Sequence, residues 1–234
     1  MRTIEKVSKG ASWAVLLILA AAHMTAQTHP DLSGYWELRY DSMAVPVASL
    51  TAAMSGRDAI KAQVRHDAEA IRRCTNIGIP AIMGDRSAID LRQSPTVTAI
   101  AAKPPSSMRY IYTDGRKHPS KDDYDPTTNG HSIGHWDGDT LIVDTILFNG
   151  SGVTRIPGGG VRTPDSHLVE RYRLLAGGNR LAVTFTWEDP KTFEKPHTYE
   201  FRYYRIDRIA EPRMYNCNPN DPERAKFLLE GLEN

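Results

Sequence analysis

The sequence lacks a strong charge of either sign. Its 29 lysine and arginine residues are nearly balanced by 28 aspartate and glutamate residues, and the formal net charge is +1 at pH 7. Proteins that bind nucleic acid or an anionic membrane surface rely on an excess of positive charge. The composition therefore argues against both kinds of partner. It leaves a small-molecule substrate or ligand as the expected partner, and it leaves the oligomeric state open.

Cysteine is scarce, and Cys74 and Cys217 are the only two in 234 residues. The residues around them do not have the pattern of a catalytic nucleophile. In an oxidising compartment a disulfide between them is the leading interpretation, with two unpaired thiols or a nucleophile as the alternatives. By the chain-entropy model, a bond that closes so long a loop adds on the order of 4 kcal/mol to the free energy of unfolding.

Long hydrophobic runs are lacking apart from residues 11–22. This run is too short to span a bilayer comfortably. Arg2, Lys6 and Lys9 precede it and small residues follow it, which is the pattern of a secretory signal peptide. Residues 1–26 are therefore predicted to direct export to the periplasm or the medium, and an uncleaved membrane anchor is the alternative.

The position of signal cleavage is open, because Ala22 and Ala26 both fit a small-residue site imperfectly. Removal of residues 1–26 takes away three basic residues and one acid, which changes the formal net charge from +1 to −1. Residues 27–234 are long enough to bury one sizeable core, so a single domain is expected, with no membrane contact after signal removal.

Motifs of the common catalytic and metal sites are also missing. The sequence has no HExxH or Cys-x-x-Cys pattern, and Gly158-Gly159-Gly160 is not followed by the lysine and helix of a phosphate loop. Gly130-His131-Ser132-Ile133-Gly134 has the spacing Gly-x-Ser-x-Gly, but it lies in a predicted hairpin strand and not at the strand-to-helix turn of a nucleophile elbow. On a helix His131 and His135 would share a face, but on a strand they lie about 13 Å apart. Two histidines that far apart cannot bind the same metal ion. Neither a metal site nor a cofactor is therefore predicted.

The strongest local signal is a β-hairpin over residues 130–149. Residues 131–136 and 139–148 resemble its two strands, and the second strand is rich in Thr, Leu, Ile and Val, as half-buried strands are. Asp137-Gly138 between them predicts a tight turn with positive φ at both central residues.

The rest of the chain predicts a mainly β domain. The only long helical pattern covers residues 47–74 and is interrupted at Gly56, and a short helix is predicted over residues 222–230. Short strands with turn signals between them indicate an antiparallel β-barrel, lipocalin-like in shape, or a sandwich. Besides the hairpin, the predicted strands cover residues 31–40, 88–93, 97–102, 108–113, 167–175, 180–188 and 198–206.

Two sets of residues resemble known proteins. The larger set comprises residues 110–119 (YIYTDGRKHP), 130–145 (GHSIGHWDGDTLIVDT), 168–172 (LVERY) and 188–190 (EDP). Across about half of the mature chain, it resembles a family of uncharacterised exported bacterial proteins, which implies a shared fold and location but no particular activity. The second set, Gly34-Tyr35-Trp36, is similar to the Gly-x-Trp element on the first strand of lipocalin-like barrels.

Histidines and carboxylates suit general acid–base chemistry better than any other chemistry. His131 is the first candidate for a base, because it lies near a strand end at the expected barrel rim, and His167 is the reserve. Asp114 or Glu170 would orient the imidazole. The alternative for Glu170 is an ion pair on the outer face with Arg171, its neighbour in the sequence.

A second group of residues would bind the substrate in the mouth of the barrel. Its members are Arg116, which would hold a substrate anion, and His118, His135, Trp136, Tyr112 and Trp187. Strand alternation puts His131 and His135 on one face and Gly134 and Trp136 on the other. The small Gly134 would leave room beside Trp136 for a ligand or for a crowded core.

Three functions fit these features. The first is an exported, cofactor-independent lyase, isomerase or hydrolase that acts on a small, partly apolar substrate. The second is a non-catalytic, lipocalin-like binding protein of the periplasm, and the third is a structural module. Histidines and carboxylates that converge in one pocket would favour the enzyme. A wholly apolar pocket would favour the binding protein, and a filled barrel would favour the structural module.

Overall fold

The computed structural model describes residues 29–84, 88–102, 107–207 and 218–221. Within these ranges nine strands close into a single barrel, which confirms the mainly β fold and decides for the barrel over the sandwich. In chain order the strands are β1 (Gly34–Ala44), β2 (Ile89–Gln93), β3 (Val97–Ala102), β4 (Ser107–Tyr112), β5 (His131–Asp137), β6 (Thr140–Ile146), β7 (His167–Leu174), β8 (Arg180–Glu188) and β9 (His197–Ile206).

Three predictions fall outside the described residues and stay predictions. They are the signal peptide at residues 1–26, the C-terminal helix at residues 222–230, and the disulfide, because one of its two residues is Cys217. In the part of the chain that the structure describes, no helix is both long enough and apolar enough to cross a membrane.

The helical segment forms as its sequence predicts, in two pieces. Helices α1 (Ala52–Ser55) and α2 (Arg57–Arg72) are separated by Gly56, whose extended backbone, with φ −75° and ψ 150°, interrupts the helix. Helix α3 (Ala81–Gly84) lies in the connection between α2 and β2. Its Ile82 and Met83 are buried, so this short turn adds to the core.

One strand pair departs from the predicted antiparallel order. Neighbouring strands are antiparallel around the barrel, and β9 pairs back with β1, but β4 and β5 are parallel. Only two residue pairs, Ile111 with Ser132 and Tyr112 with Ile133, are in register between β4 and β5. A parallel pair needs a long connection, and residues 113–130 supply it.

The central hairpin forms, but its turn lies one residue later than predicted. Asp137 pairs with Thr140, so Gly138 and Asp139 are the two central residues. Gly138 has a φ of +56°, whereas Asp139 does not adopt a positive φ. Glycine at the first central position is the requirement of a type II′ turn, and only type I′ needs positive φ at both positions.

Aromatic side chains fill the interior of the barrel. The inward face of β8 is fully buried and consists of Leu181, Val183, Phe185 and Trp187. Phe185 stacks on Tyr199 of β9 with ring centroids 4.9 Å apart, and Trp187 packs on Phe148 at 5.7 Å. The core excludes water from these rings, so they stabilise the fold rather than line an open cavity.

Candidate functional site

The outer face of four adjacent strands carries a row of titratable side chains. His131 of β5, Asp144 of β6, His167 of β7 and Glu188 of β8 all point away from the core, because their strand neighbours point inward. The connection at residues 113–130 crosses this face and adds His118. These five residues, His118, His131, Asp144, His167 and Glu188, are called the outer row below.

Asp144 is the centre of the outer row. Its Oδ1 accepts a hydrogen bond from Nε2 of His118 at 2.9 Å, and its Oδ2 accepts one from Nε2 of His167 at 2.7 Å. The row continues on both sides. Nδ1 of His118 lies 2.8 Å from Nδ1 of His131, and Nδ1 of His167 lies 3.3 Å from Oε2 of Glu188.

These contacts shift the pKa values of three groups. Burial alone would raise the pKa of Asp144, but the hydrogen bonds from His167 and His118 outweigh it and hold the pKa below its usual range. The hydrogen bond to Asp144 raises the pKa of His167. Burial, with help from the nearby His118 and Arg116, lowers the pKa of His131. His131 is therefore neutral at neutral pH.

When the His118 ring is neutral, hydrogen-bond chemistry determines which nitrogen of His131 is free. An ionised carboxylate only accepts hydrogen bonds, so Nε2 of His118 carries a hydrogen toward Asp144. With a neutral His118 ring, its Nδ1 accepts, and Nδ1 of His131 must donate to it. Nε2 of His131 then bears a lone pair. It has no hydrogen bond within the described residues and is not among their buried unpartnered polar atoms, so it keeps access to solvent.

Tyrosines hold the His131 ring in place. Tyr112 stacks on it with ring centroids 5.4 Å apart, and Tyr124 meets it edge-on at 5.2 Å. The Arg116 guanidinium lies 3.9 Å from the centroid of the Tyr112 ring, on which it forms a cation–π contact. The imidazole is only 6% exposed as a result.

A pocket of about 250 Å³ opens beside His131. It lies where β4 and β5 diverge beyond their short parallel pairing, and Asn129 spans the gap with a hydrogen bond from its Nδ2 to the Met108 carbonyl oxygen at 3.1 Å. The wall is built from strand and connection residues: Asn76, Met108, Arg109, Tyr110, Tyr112, Tyr124, Thr127, Thr128, Asn129, Gly130, His131 and Ser132.

Arg109 links this pocket to a buried network inside the barrel. The two terminal nitrogens of its guanidinium both donate to the Glu170 carboxylate, and Nη1 also approaches the Tyr172 hydroxyl at 3.4 Å. Ser132 and Thr145 accept further hydrogen bonds from Nε and Nη2. Although burial disfavours its charge, the carboxylate of Glu170 raises the pKa of Arg109. These five residues are called the inner network.

The structure brings together four of the residues that sequence reasoning selected. His131, His118 and His167 belong to the outer row, and Tyr112 stacks on His131 in the pocket wall. Arg116 lies behind Tyr112, where its guanidinium contacts the Asp114 carboxylate at 2.6 Å. It therefore already has a carboxylate partner, and is not held free for a substrate anion.

The remaining selected residues lie elsewhere. Glu170 points into the barrel and pairs with Arg109, so neither the proposed contact with His131 nor the alternative outer-face pair with Arg171 forms. Trp187 is buried in the core, and His135 is exposed nearer the hairpin tip. The site is thus on the outer wall of the barrel and not in its mouth.

Trp136 points inward and stacks on His29 with ring centroids 4.7 Å apart. The space beside it is not a ligand site, because a Cβ added at Gly134 would lie 3.0 Å from Ile111 and 3.2 Å from Leu141. Of the two possibilities predicted for Gly134, the structure shows the crowded core.

Sequence reasoning missed Asp144, the carboxylate that two histidines share. The signal was present, since Asp144 is the one charged residue within β6 (Thr140–Ile146). Hairpin pairing puts it opposite Ile133, on the same face as His131. Tyr124 and Asn129 lie in the 113–130 connection, and no periodicity predicts where such a connection folds.

A metal ion finds no ready site in the described ranges. No group of three or more histidine, cysteine, aspartate or glutamate side chains is arranged there to hold one. In the outer row each imidazole nitrogen that faces Asp144 is at hydrogen-bond distance from a carboxylate oxygen.

Comparison with known proteins adds no relative. No protein-family model matches the sequence, and none of the functionally curated proteins matches it either. The resemblance to exported bacterial proteins therefore stays a prediction. The closed barrel is compatible with a lipocalin-like ligand-binding protein.

Proposed function

We propose that the protein is an enzyme that uses His131 as a general base on a small molecule bound in the pocket between β4 and β5. One observation carries the proposal. A hydrogen-bonded series runs from Asp144 through His118 to His131, and it ends on an imidazole in the pocket wall. In the Ser-His-Asp triad a carboxylate orients and stabilises the histidine base by a direct hydrogen bond, and here His118 lies between the carboxylate and the base.

The series supports proton transfer in both directions. Nε2 of His131 accepts a proton from the substrate, and the imidazolium that forms donates through Nδ1 to His118. The negative charge of Asp144 stabilises this cation through the hydrogen bond that His118 makes to it. Return of the proton to another substrate atom completes an isomerisation, and its transfer to a departing group completes an elimination. In a hydrolysis Nε2 takes the proton from a water molecule that attacks the substrate, and the imidazolium gives it to the departing group, so none of these steps requires a cofactor.

The lowered pKa of His131 suits this role, because a base must be unprotonated before it reacts. Tyr112 and Tyr124 fix the plane of the ring, so no rotation is needed when a substrate arrives. Export belongs to the same proposal, and the leader-like residues 1–26 support it. Intact mass of the protein from the envelope fraction tests export, since a retained leader would contradict it.

A second candidate function is ligand binding without turnover. The barrel fold and the three tyrosines in the pocket wall favour it, since aromatic walls are common in binding pockets. The two candidates share the pocket and differ in whether His131 changes the ligand chemically.

A turnover experiment separates them. Compounds that raise the melting temperature would be selected from a small-molecule panel and incubated with the protein, and products would be followed by mass spectrometry. We expect conversion by the wild type and a loss of at least ~100-fold in His131→Gln, the low end for a general base. His66→Gln, on the exposed side of α2, is the matched control and keeps full turnover. Binding without conversion, or full turnover by folded His131→Gln, would contradict the enzyme.

A further inference from the structure

We infer that the pocket takes a neutral ring-shaped molecule that carries hydroxyl groups, such as a phenol or a sugar ring. This inference rests on the proposed function for the location of the site, whereas the observations that support it do not depend on catalysis. Four features of the pocket lead to it: its size, its tyrosine wall, the unpartnered acceptors in that wall and the engagement of Arg109 in the inner network.

Size limits the ligand to about one ring. The pocket volume of about 250 Å³ is below the range of ~300–1,000 Å³ that drug-sized ligands occupy. The pocket is also not sealed, because Met108 and Tyr110 at its edge are 52% and 48% exposed. A larger molecule could project from it, but only one ring would be enclosed.

Flat aromatic surfaces form one side of the pocket. Tyr110 and Tyr112 lie on the outer face of β4 with Met108, and Tyr124 faces them from the connection. Aromatic faces stack on planar rings and also pack against the C–H faces of saturated rings. This wall therefore selects for ring shape without fixing ring chemistry.

Two acceptors of the pocket wall have no hydrogen-bond partner among the described residues. Nε2 of His131 bears a lone pair, and Oδ1 of Asn129 is buried without a hydrogen-bond partner among the described residues. The Asn129 amide cannot simply be reversed, since its Nδ2 donates to the Met108 carbonyl oxygen. An unpartnered buried acceptor is costly. Oδ1 of Asn129 has almost no exposed surface, so a ligand O–H group meets it only after the side chain shifts, and Nε2 of His131 is the acceptor that such a group reaches first.

Among the described residues that line the pocket, no positive charge is free for an anionic ligand. Arg109 is the only lysine or arginine among the described residues that line the pocket, and all three of its guanidinium nitrogens donate within the inner network. Arg116 behind Tyr112 is engaged with Asp114. A carboxylate or phosphate in the pocket would find no free side-chain cation among the described lining residues to balance its charge, which favours a neutral ligand.

The chemistry that follows is a proton transfer from a hydroxyl group. Nε2 of His131 accepts the hydroxyl proton, the O–H bond breaks, and its electron pair stays on the ligand oxygen. No oxidant, reductant or second substrate is required for this step. A hydroxyl group held against His131 thus supplies both a binding contact and the acidic proton.

Binding measurements on the folded protein test this inference without any need for turnover. Catechol and methyl β-glucoside probe the two ring types, and benzoate and toluene are matched rings with a charge or with no hydroxyl group. Ligand-observed NMR titration would give the dissociation constants. We expect catechol, methyl β-glucoside or both to bind more tightly than benzoate and toluene, and the stronger of the two identifies the ring type.

The variant pair Tyr112→Phe and Tyr112→Leu sharpens the test. We expect Phe to retain the affinity, because it keeps the ring, and Leu to weaken it by about three- to tenfold. Equal or tighter binding of benzoate or toluene, or no binding by any hydroxylated ring at millimolar concentration, would overturn the inference. Turnover by His131 of an anionic or acyclic substrate would overturn it and leave the proposed function standing. Tight binding of catechol without conversion would contradict the proposed function and leave this inference standing.

Discussion

The two faces of strands β5, β6 and β7 carry polar networks of opposite character. In the inner network Arg109 and Glu170 are 1% and 0% exposed, and their charges neutralise each other. In the outer row Asp144 and His167 are 37% and 34% exposed. Adjacent residues belong to different networks, since His131 faces outward and Ser132 faces inward.

The inner network stabilises the fold, whereas the outer row contains a group that is able to react. Every nitrogen of Arg109 has an acceptor, and the Tyr172 hydroxyl donates to Glu170 at 2.7 Å, so the inner network has no site left for a substrate. The outer row ends at an imidazole nitrogen without a partner among the described residues. Satisfied buried networks fix a fold, whereas an open nitrogen of suitable pKa can react.

The largest expected effect concerns the stability of the inner network. Glu170→Gln leaves the Arg109 charge buried without its anion, and we expect the free energy of unfolding to fall by about 3–5 kcal/mol. Urea denaturation followed by tryptophan fluorescence measures it. The matched control in the outer row, Glu188→Gln, changes stability by less than about 0.5 kcal/mol. Equal effects of the two substitutions would show that the networks do not differ.

A double variant tests the cause of that loss. Replacing both partners, as in Arg109→Met with Glu170→Leu, removes the charges together, and we expect most of the stability to return. A double variant as unstable as Glu170→Gln would mean that the pair itself, rather than the abandoned charge, holds the barrel together.

Asp144→Asn should have an intermediate effect, on chemistry rather than on stability. Without the carboxylate, the pKa of His167 falls toward its ordinary value of 6.5, because the hydrogen bond to Asp144 is the main cause that raises it. Turnover falls on the order of tenfold, less than in His131→Gln, because the base remains while its support is weakened. Histidine ring NMR titration reads the pKa, and an unchanged His167 would contradict the assigned contact.

The two networks also show which features of the fold can be predicted from the sequence and which cannot. The nine strands were predictable because strand alternation and turn residues are local, and β8 (Arg180–Glu188) matches its predicted range. It was not predictable that the Glu170 side chain points into the barrel. A charged residue on a strand is normally assigned to solvent, and only Arg109, 61 residues away, explains its burial.

The outer row was partly predictable for the same reason. All three of its histidines were selected as candidates from the sequence, and the strand pairing of the hairpin could have identified Asp144. The contact between His118 and Asp144 depends on how the 113–130 connection crosses the barrel wall. No local pattern encodes that path, because the connection has no regular secondary structure to give it a period.

The smallest expected effect is a pH dependence of stability with opposite signs for two histidines. The raised pKa of His167 gives stability that is present below pH 6.5, its unfolded value, and lost as pH rises through the folded pKa. The lowered pKa of His131 gives the reverse, with stability lost as pH falls below 6.5. His167→Gln should flatten the alkaline side of the urea-midpoint profile, and His131→Gln the acid side. Flattening on the same side by both variants would contradict the assignment.

The central claim is that the outer row presents an unprotonated Nε2 of His131 to the pocket. Long-range ¹H–¹⁵N NMR of the histidine rings tests it directly, because the two neutral tautomers and the cation give different ¹⁵N shifts. We expect His131 to be neutral at pH 7, with the hydrogen on Nδ1 and a pKa below 6.5. A hydrogen on Nε2 at pH 7, or a pKa above 6.5, would contradict the account.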